Sequence, residues 1–425
     1  MDEDASVAVV GAGLAGLVAA RRLAAAGADV TVYERREEVG GRVRTRRKDG
    51  FTLDRGFQVL FTAYPMVRRE LDLDALDLRH FAPGACIARP GGRSIVADPL
   101  RDPAALFETL ACGEVTTTDK LRTLALRQHV RSREEREFFR GRDASIREYL
   151  RDWGFSEKYL RNFVAPFYGG ITLDRSLSTS KHVFEYTFRA LSEGATALPA
   201  DGMGAIPGQL AENARDAGAE IRLGEEVTAI DDDGSAVEVE TAGGTVRADA
   251  AVVAADPSSA RELTGVDAIP TDARGCVTQY YRLPRGTQLG AGKRLILNAT
   301  DASPNTVVPL SAVAPEYAPP DYELLNATFL GSDAQDATEG ELATETKAAL
   351  ASWFPERSFE LLEPVHTERV PFAQFAQPPG VYDRLPDARA AGGRTYLAGE
   401  YTKWSSIQGA MQSAHEAVDA IVSDL

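Results

Sequence analysis

The fold is decided by residues 6–34, which read SVAVVGAGLAGLVAARRLAAAGADVTVYE. Residues 6–10 form a short β-rich apolar run and predict a buried strand. Residues 14–26 are rich in alanine and leucine at helical spacing, and Gly27 is placed to end that helix. Residues 29–33 predict a second strand. A strand, a helix and a strand of these lengths make a βαβ unit, which predicts a parallel α/β sheet.

A dinucleotide-binding pattern joins the first strand to the helix. In Gly11-x-Gly13-x-x-Gly16 the first glycine permits the turn, the second lets the backbone approach a diphosphate, and the third lets helix and strand pack closely. The helix amides and dipole then favour the diphosphate charge. Glu34 ends the second strand 23 positions after Gly11, where an acid accepts hydrogen bonds from ribose hydroxyls. The alternative, a chance glycine-rich turn, does not account for Glu34.

Further glycine and charged residues favour FAD over a nicotinamide cofactor. Glu34 disfavours a 2′-phosphate, although Arg35 and Arg36 follow it. Gly40-Gly41-Arg42 comes next, where the glycines allow close approach and Arg42 can place a guanidinium on the diphosphate. A bare NAD site has no need of this second element.

The C-terminus carries the complementary half of the predicted site. Gly399-Glu400 offers a carboxylate for the ribityl hydroxyls of a flavin. Residues 409–421 predict an amphipathic helix whose N-terminus would face the pyrimidine edge of the flavin ring, where its dipole favours reduction. The alternative is a C-terminal helix that only packs, with Gly409 as its cap.

These motifs resemble those of the amine oxidase and phytoene desaturase superfamily of flavoproteins. Segments 56–65 and 398–403, the latter followed by 408–410, look like those of plant and cyanobacterial phytoene and ζ-carotene desaturases. The resemblance implies non-covalent FAD, an adenine contact at Val227, flavin contacts at Ile407 and Gln408, and an apolar isoprenoid substrate. The family usually has aspartate at the position of Glu400. The predicted cofactor-binding residues are Gly11, Ala12, Gly13, Leu14, Ala15, Gly16, Glu34, Arg35, Gly41, Arg42, Gly56, Val227, Gly399, Glu400, Ile407 and Gln408.

The chain is long enough for two domains. We predict an α/β architecture: a discontinuous Rossmann-like FAD-binding domain and an inserted α+β substrate domain. The FAD domain is assigned to residues 1–75, 196–265 and 386–425. The substrate domain is assigned to residues 76–195 and 266–385.

Composition excludes some partners and suggests a location. A net charge of −16, from 63 acidic and 47 basic residues, argues against nucleic acid as a partner. It also provides no electrostatic attraction to an anionic membrane. Only seven basic residues are lysines, so an acidic, arginine-rich chain of halophilic type is a further hypothesis. Cys86, Cys112 and Cys276 are far apart, and the start lacks a basic leader, which predicts a reducing, cytoplasmic setting.

The catalytic residues stay unknown at this level, and no metal site is predicted. His182 beside Lys181 is more typical of an ordinary helix histidine, and Tyr401 and Lys403 lie near the flavin segment only in sequence. Phe163, Phe167 and Tyr168 either line an apolar tunnel or form a core.

The apolar segment 57–67 is a substrate mouth, a peripheral membrane contact or core packing, of which core packing is favoured. The leading prediction is dehydrogenation of a small apolar substrate by hydride transfer to flavin N5, with a quinone or oxygen as electron acceptor. An amine oxidase, a protoporphyrinogen oxidase-like enzyme and a flavin scaffold without turnover are the alternatives.

Overall fold

The computed structural model describes residues 5–97, 115–287, 289–300 and 303–425; Cys112 lies outside them. The strands are β1 Ser6–Val10, β2 Asp29–Glu34, β3 Thr45–Lys48, β4 Phe51–Asp54, β5 Leu60–Phe61, β6 Leu78–His80, β7 Ala85–Arg89, β8 Gly92–Val96, β9 Thr196–Pro199, β10 Glu220–Leu223, β11 Val227–Asp232, β12 Val237–Thr241, β13 Gly244–Ala248, β14 Ala250–Val253, β15 Ala273–Pro284, β16 Leu295–Asn298, β17 Thr306–Pro309, β18 Tyr322–Leu330, β19 Glu363–Phe375 and β20 Thr395–Leu397. The α-helices are α1 Leu14–Ala25, α2 Pro65–Glu70, α3 Thr117–Ser132, α4 Ile146–Asp152, α5 Glu157–Tyr159, α6 Ala165–Thr172, α7 Lys181–Glu193, α8 Ala205–Asp216, α9 Pro257–Thr264, α10 Leu310–Val313, α11 Ser332–Asp336, α12 Glu339–Trp353 and α13 Ile407–Asp424. A π-helical turn, Leu160–Val164, joins α5 to α6, and 3₁₀ turns cover Glu135–Glu137, Pro315–Tyr317 and Glu400–Thr402.

A five-stranded parallel sheet organises the first domain, which confirms the predicted Rossmann-like α/β fold. Its order is β10-β2-β1-β14-β20, so strands from both ends of the chain lie side by side. Helices α1, α8 and α13 share one core with the sheet, and the antiparallel meander β11-β12-β13 packs on its other face. Strand order reverses beside β1, where α/β folds form a ligand crevice.

Two predicted elements have different boundaries in the structure. The sequence of residues 246–255 predicts one strand, but the structure divides it: β13 belongs to the meander and β14 to the parallel sheet. The break falls at Asp249, whose carboxylate accepts hydrogen bonds from the N–H and hydroxyl of Ser6 at 2.8 and 2.7 Å. Helix α13 begins at residue 407 rather than 409, because the Ser406 hydroxyl accepts a hydrogen bond from the amide of Gly409 at 2.7 Å and caps the helix.

A mixed seven-stranded sheet, β19-β15-β18-β17-β16-β7-β8, draws its strands from the two long insertions. One face packs on α12 around Trp353, while Tyr280 on the other donates a hydrogen bond to the carbonyl of Asp54 at 2.6 Å. Helices α3 to α7 form a separate cluster beside this sheet. The exact domain boundaries remain a prediction. No helix within the described ranges is long and apolar enough to cross a membrane.

A buried ionic cluster ties α1, α2 and α13 together. The Glu70 carboxylate accepts hydrogen bonds from Arg21 at 2.7 Å and, through its other oxygen, from His415 at 2.6 Å. Burial alone would raise the pKa of Glu70, but these two partners outweigh it and hold that pKa below its ordinary value.

Glu70→Gln is expected to reduce the free energy of unfolding by about 1–3 kcal/mol at neutral pH, because an amide cannot replace the carboxylate toward both partners. Because folding lowers the pKa of Glu70, its carboxylate stabilises the protein at pH values above the unfolded-state pKa of about 4.3. This stabilisation is lost as the pH falls through the folded-state pKa. Denaturant titrations from neutral to acid pH should therefore converge for wild type and variant. Glu212→Gln, at an exposed position on α8, is the control. A constant difference down to acid pH would contradict the assignment.

Candidate functional site

The glycine turn after β1 has the contacts that the pattern predicts. Gly11 has a φ of +103°, in the left-handed region that favours glycine. A Cβ atom at Gly16 would lie 1.9 Å from the carbonyl oxygen of Gly11, so α1 can approach β1 this closely only with glycine there. A Cβ atom at Gly13 would meet nothing within 4 Å. Gly13 therefore turns its backbone to open space.

The start of α1 is suited to an anion. The helix has neither a side-chain cap nor an acidic residue in its first turn. Backbone amides and the positive end of the helix dipole are therefore available to a ligand beside Gly13.

Glu34 is fixed at the end of β2, beside this turn. Its side chain is buried, and its two oxygens accept hydrogen bonds from the amides of Ala12 at 2.9 Å and Arg36 at 3.0 Å. A carboxylate has further lone pairs, so it can still accept ribose hydroxyls.

Arg42 and Glu400 bring the two ends of the chain together. One guanidinium nitrogen of Arg42 donates hydrogen bonds to Glu400 Oε1 at 2.5 Å and to the carbonyl of Ala373 at 3.2 Å. The sequence assigns Arg42 to the diphosphate and Glu400 to the flavin. The structure adds that the two charges contact each other.

Gly409 has a packing role at the start of α13. A Cβ atom there would lie 2.1 Å from the carbonyl oxygen of Trp404. Ser406, and not Gly409, is the cap, and it already binds the Gly409 amide. The side chains of Trp404 and Tyr64 meet edge to face nearby, with ring centroids 5.9 Å apart.

A cavity of about 1390 Å³ extends from the glycine turn to helices α3, α6 and α7. The predicted cofactor residues on its wall are Gly11, Gly13, Leu14, Ala15, Glu34, Arg35, Gly41, Arg42, Gly56, Val227, Gly399, Glu400 and Ile407. The two halves of the predicted site, from opposite ends of the chain, therefore face the same space.

The other three predicted residues do not lie on this wall. Ala12 is fully buried and bound through its amide to Glu34, and Gly16 lies between α1 and β1. Gln408 is directed to α2, where its Oε1 accepts a hydrogen bond from the amide of Met66 at 2.9 Å. The Gln408 side chain is therefore bonded within the protein, and the flavin contact at this position stays a prediction.

Arg35 and Val227 mark the nucleotide end of the cavity. Arg35 lies 3.1 Å from Asp256 and 3.9 Å from Glu226, so it links β2 to the segments beside β11 and β14. Its guanidinium is therefore paired with carboxylates and does not depend on a phosphate as its partner.

Among the polar wall residues that sequence reasoning did not assign to the site are Arg36, Arg55 and Gln58. Arg55 lies 3.3 Å from Glu368 on β19, a partner that is remote in sequence. Gln58 donates to the carbonyls of Arg42 and Arg55 at 3.0 and 3.3 Å, while its Oε1 is buried without a partner. The one sequence feature that pointed to Arg55 and Gln58 is their position on either side of Gly56, where the desaturase-like segment 56–65 begins.

Segment 57–67 forms part of the cavity wall. Within it, Pro65 is the exposed position. The wall residues are Phe57, Gln58, Val59, Phe61 and Tyr64.

The far limb of the cavity is aromatic. Phe155, Tyr159, Phe163 and Phe167 form a ladder of stacked rings with centroid separations of 5.0, 5.5 and 5.5 Å. These four rings and Tyr168 all lie on the wall. The sequence left two roles open for Phe163, Phe167 and Tyr168, the lining of an apolar tunnel or a core. The structure places all three on the wall of the cavity.

The same limb has an unusual charge distribution. Among its described residues, drawn from 81–192 and 276–374, none is an aspartate or glutamate, and the charged ones are Lys120 and Arg127. The acidic residues of the cavity are Glu34, Glu226, Asp256, Glu262 and Glu400. All of them belong to the sequence blocks that are assigned to the FAD domain.

The catalytic candidates lie away from the cavity. His182 is buried 3.6 Å from Glu185 and 3.8 Å from Asp143, and Lys181 lies over the ring of Tyr149. Tyr401 donates a hydrogen bond to the carbonyl of Val253, and Lys403 pairs with Glu416. Neither a catalytic acid nor a base is assigned among them.

The geometry fits a dinucleotide cofactor. A Cβ atom at Gly13 would intrude on the space for the diphosphate, and the start of α1 has no side-chain cap. The carboxylate of Glu34 lies beside this turn, where a ribose is expected. The sequence profile of the family described as flavin containing amine oxidoreductase matches residues 14–422. The chain belongs to this family. Its cofactor is therefore a flavin.

Other known proteins resemble parts or all of the chain. It is 60% identical over 50 residues to a 4,4′-diapophytoene desaturase (4,4′-diaponeurosporene-forming) of Staphylococcus haemolyticus, across 12% of this chain and 10% of that protein. The chain thus aligns with about a tenth of the length of the curated relatives it matches.

Two solved structures share the fold over the full length. A putative protoporphyrinogen oxidase from Exiguobacterium sp. 255-15 has a TM-score of 0.72 at 19% identity and covers 100% of both chains. Wild-type putrescine oxidase bound to putrescine has a TM-score of 0.71 at 18% identity and covers 99% of both chains.

Proposed function

We propose that this protein binds FAD non-covalently and dehydrogenates an apolar, isoprenoid-like molecule. The observation that carries the proposal is the continuity of the cavity, which joins the cofactor cradle to an aromatic limb without a carboxylate among its described wall residues. The short match to a 4,4′-diapophytoene desaturase supports the same substrate class.

Non-covalent attachment is supported by the side chains near the cofactor position. Cys276 lies on the cavity wall, and burial raises the pKa of its thiol to about 12. The thiolate, which is the nucleophile of cysteine, is therefore scarce at neutral pH. The described wall residues include no histidine.

FAD supplies the hydride acceptor for such a reaction when it is bound. The chain supplies position and a dry environment. The start of α1 and Arg42 hold the diphosphate of the cofactor and Glu34 holds its ribose, while the ring ladder orients an apolar chain and excludes water. The electron acceptor, a quinone or oxygen, and the cytoplasmic location are part of the proposal.

The purified protein should show flavin absorption, and acid precipitation should release FAD into the supernatant. Under anaerobic conditions, prenyl substrates should bleach that absorption and putrescine should not. Chromophore retained in the pellet would contradict non-covalent binding. Bleaching by putrescine alone would contradict the proposed substrate class, and stable flavin that no candidate bleaches would favour a scaffold without turnover.

Oxidation of an amine is the second candidate. The perpendicular Tyr64–Trp404 pair on the cavity wall is the observation that favours it, because two aromatic rings can hold an amine carbon. A polyamine would find no carboxylate in the described part of the aromatic limb, so the amine would have to be a hydrophobic one.

A further inference from the structure

A row of three threonines crosses the seven-stranded sheet where it faces the cavity. Thr328 on β18 lies between Thr278 on β15 and Thr306 on β17, and the three are partners in register. Thr306 and Thr328 are on the cavity wall and are only 2% and 4% exposed. The row therefore places hydroxyl groups against a mostly apolar limb.

The middle hydroxyl of the row lacks a protein partner. Thr278 Oγ1 accepts a hydrogen bond from the amide of Phe57 at 3.2 Å. Thr328 Oγ1 is buried without any hydrogen bond. A buried hydroxyl without a partner destabilises the fold, and a purely structural threonine would avoid this by pairing across the strands.

The row lies beside the cofactor half of the cavity. A Cβ atom at Gly56 would lie 4.0 Å from Thr278 Oγ1, and one at Gly170 would lie 4.0 Å from Thr306 Cγ2. Two glycines on the wall thus flank the row and leave room above it. A ligand atom held there would sit close to Gly56, one of the predicted cofactor-binding residues.

We propose that Thr328 and Thr306 form a subsite for a neutral oxygen function, a hydroxyl or a carbonyl, on an otherwise apolar ligand. This inference rests on the proposed function and narrows its substrate class from hydrocarbons to oxygenated molecules. A threonine hydroxyl both donates and accepts, so it suits an alcohol or a ketone. Anchoring the oxygen fixes which carbon of the ligand faces the flavin.

The test compares ligands that differ in one oxygen, using the holoprotein. Geranylgeraniol, its hydrocarbon analogue without the hydroxyl, and a prenylated benzoquinone are titrated while the flavin difference spectrum is recorded. The wild type should bind the alcohol or the quinone more tightly than the hydrocarbon. Thr328→Val should weaken binding of the oxygenated ligand about 3- to 10-fold, as expected for one neutral hydrogen bond, and leave the hydrocarbon unchanged.

Thr367→Val on β19 removes a hydroxyl from the same sheet away from the cavity and should change neither affinity. Selective loss of alcohol binding assigns the row to the substrate, and selective loss of quinone binding assigns it to the electron acceptor. Equal wild-type affinity for all three ligands, or unchanged affinities in Thr328→Val, would overturn the subsite while leaving the proposed function intact. Absence of binding by all three ligands would overturn the proposed function itself.

Discussion

Gly13→Ala is expected to yield a folded protein that binds its flavin about 10- to 100-fold more weakly than the wild type. Gly13 has a φ of −77°, which alanine adopts readily, and its Cβ would meet no protein atom within 4 Å. The methyl group would instead occupy the space that the diphosphate needs. Overpacking by one methyl costs about 1–3 kcal/mol, and each 1.4 kcal/mol is about tenfold in affinity.

The measurement is flavin affinity by reconstitution of stripped protein, with thermal unfolding of the same apoprotein. The matched control is Gly208→Ala on α8, where a Cβ atom also meets nothing within 4 Å. It should retain full flavin affinity and gain up to about 1 kcal/mol, because alanine is the better helix former. Full flavin affinity in Gly13→Ala would contradict the cradle. Unfolding of its apoprotein would show that Gly13 serves the fold instead.

The parts of the fold that could be predicted are those encoded locally. Residues 6–34 carry strand, turn, helix and strand within one continuous stretch, so periodicity and glycine positions suffice. The division of residues 246–255 could not be predicted, because it depends on a hydrogen bond between Asp249 and Ser6, which are 243 positions apart. β14 is a short, fully buried apolar run, and its place in the sheet between β1 and β20 depends on strands that are remote in sequence.

The candidate site shows the same limit. The glycine spacing predicts the cradle. It does not predict that Arg55 pairs with a residue on β19, or that the Gln408 side chain bonds to α2 instead of facing the cavity. The threonine row is recognisable only once three strands are in register. The domain boundaries, the acceptor and the cellular location stay predictions.

The Arg42–Glu400 contact has a consequence that neither motif suggests alone. Arg42 is expected to serve two partners: the carboxylate of Glu400 and the diphosphate of the cofactor. Its side chain is 28% exposed and that of Glu400 is 8% exposed. Losing Arg42 therefore leaves a nearly buried carboxylate without its cation.

Arg42→Met is expected to lower the free energy of unfolding of the apoprotein by about 3 kcal/mol, the lower end for removing one partner of a buried pair. It should also weaken flavin binding about 10-fold or more, because a charge-assisted hydrogen bond to phosphate contributes about 1.5–3 kcal/mol. Glu400→Gln should cost less stability, since the more exposed Arg42 can reach water, and should retain most of the flavin affinity.

The double variant Arg42→Met/Glu400→Gln separates the two roles. With the carboxylate neutralised, apoprotein stability should recover most of the loss, while flavin affinity should remain as low as in Arg42→Met. Melting of the stripped proteins and reconstitution with FAD across all four proteins give the coupling free energy for each property. Recovery of flavin affinity in the double variant would mean that Arg42 acts on the cofactor only by holding Glu400. Unrecovered stability would mean that its bond to the Ala373 carbonyl, and not the carboxylate, dominates the apoprotein.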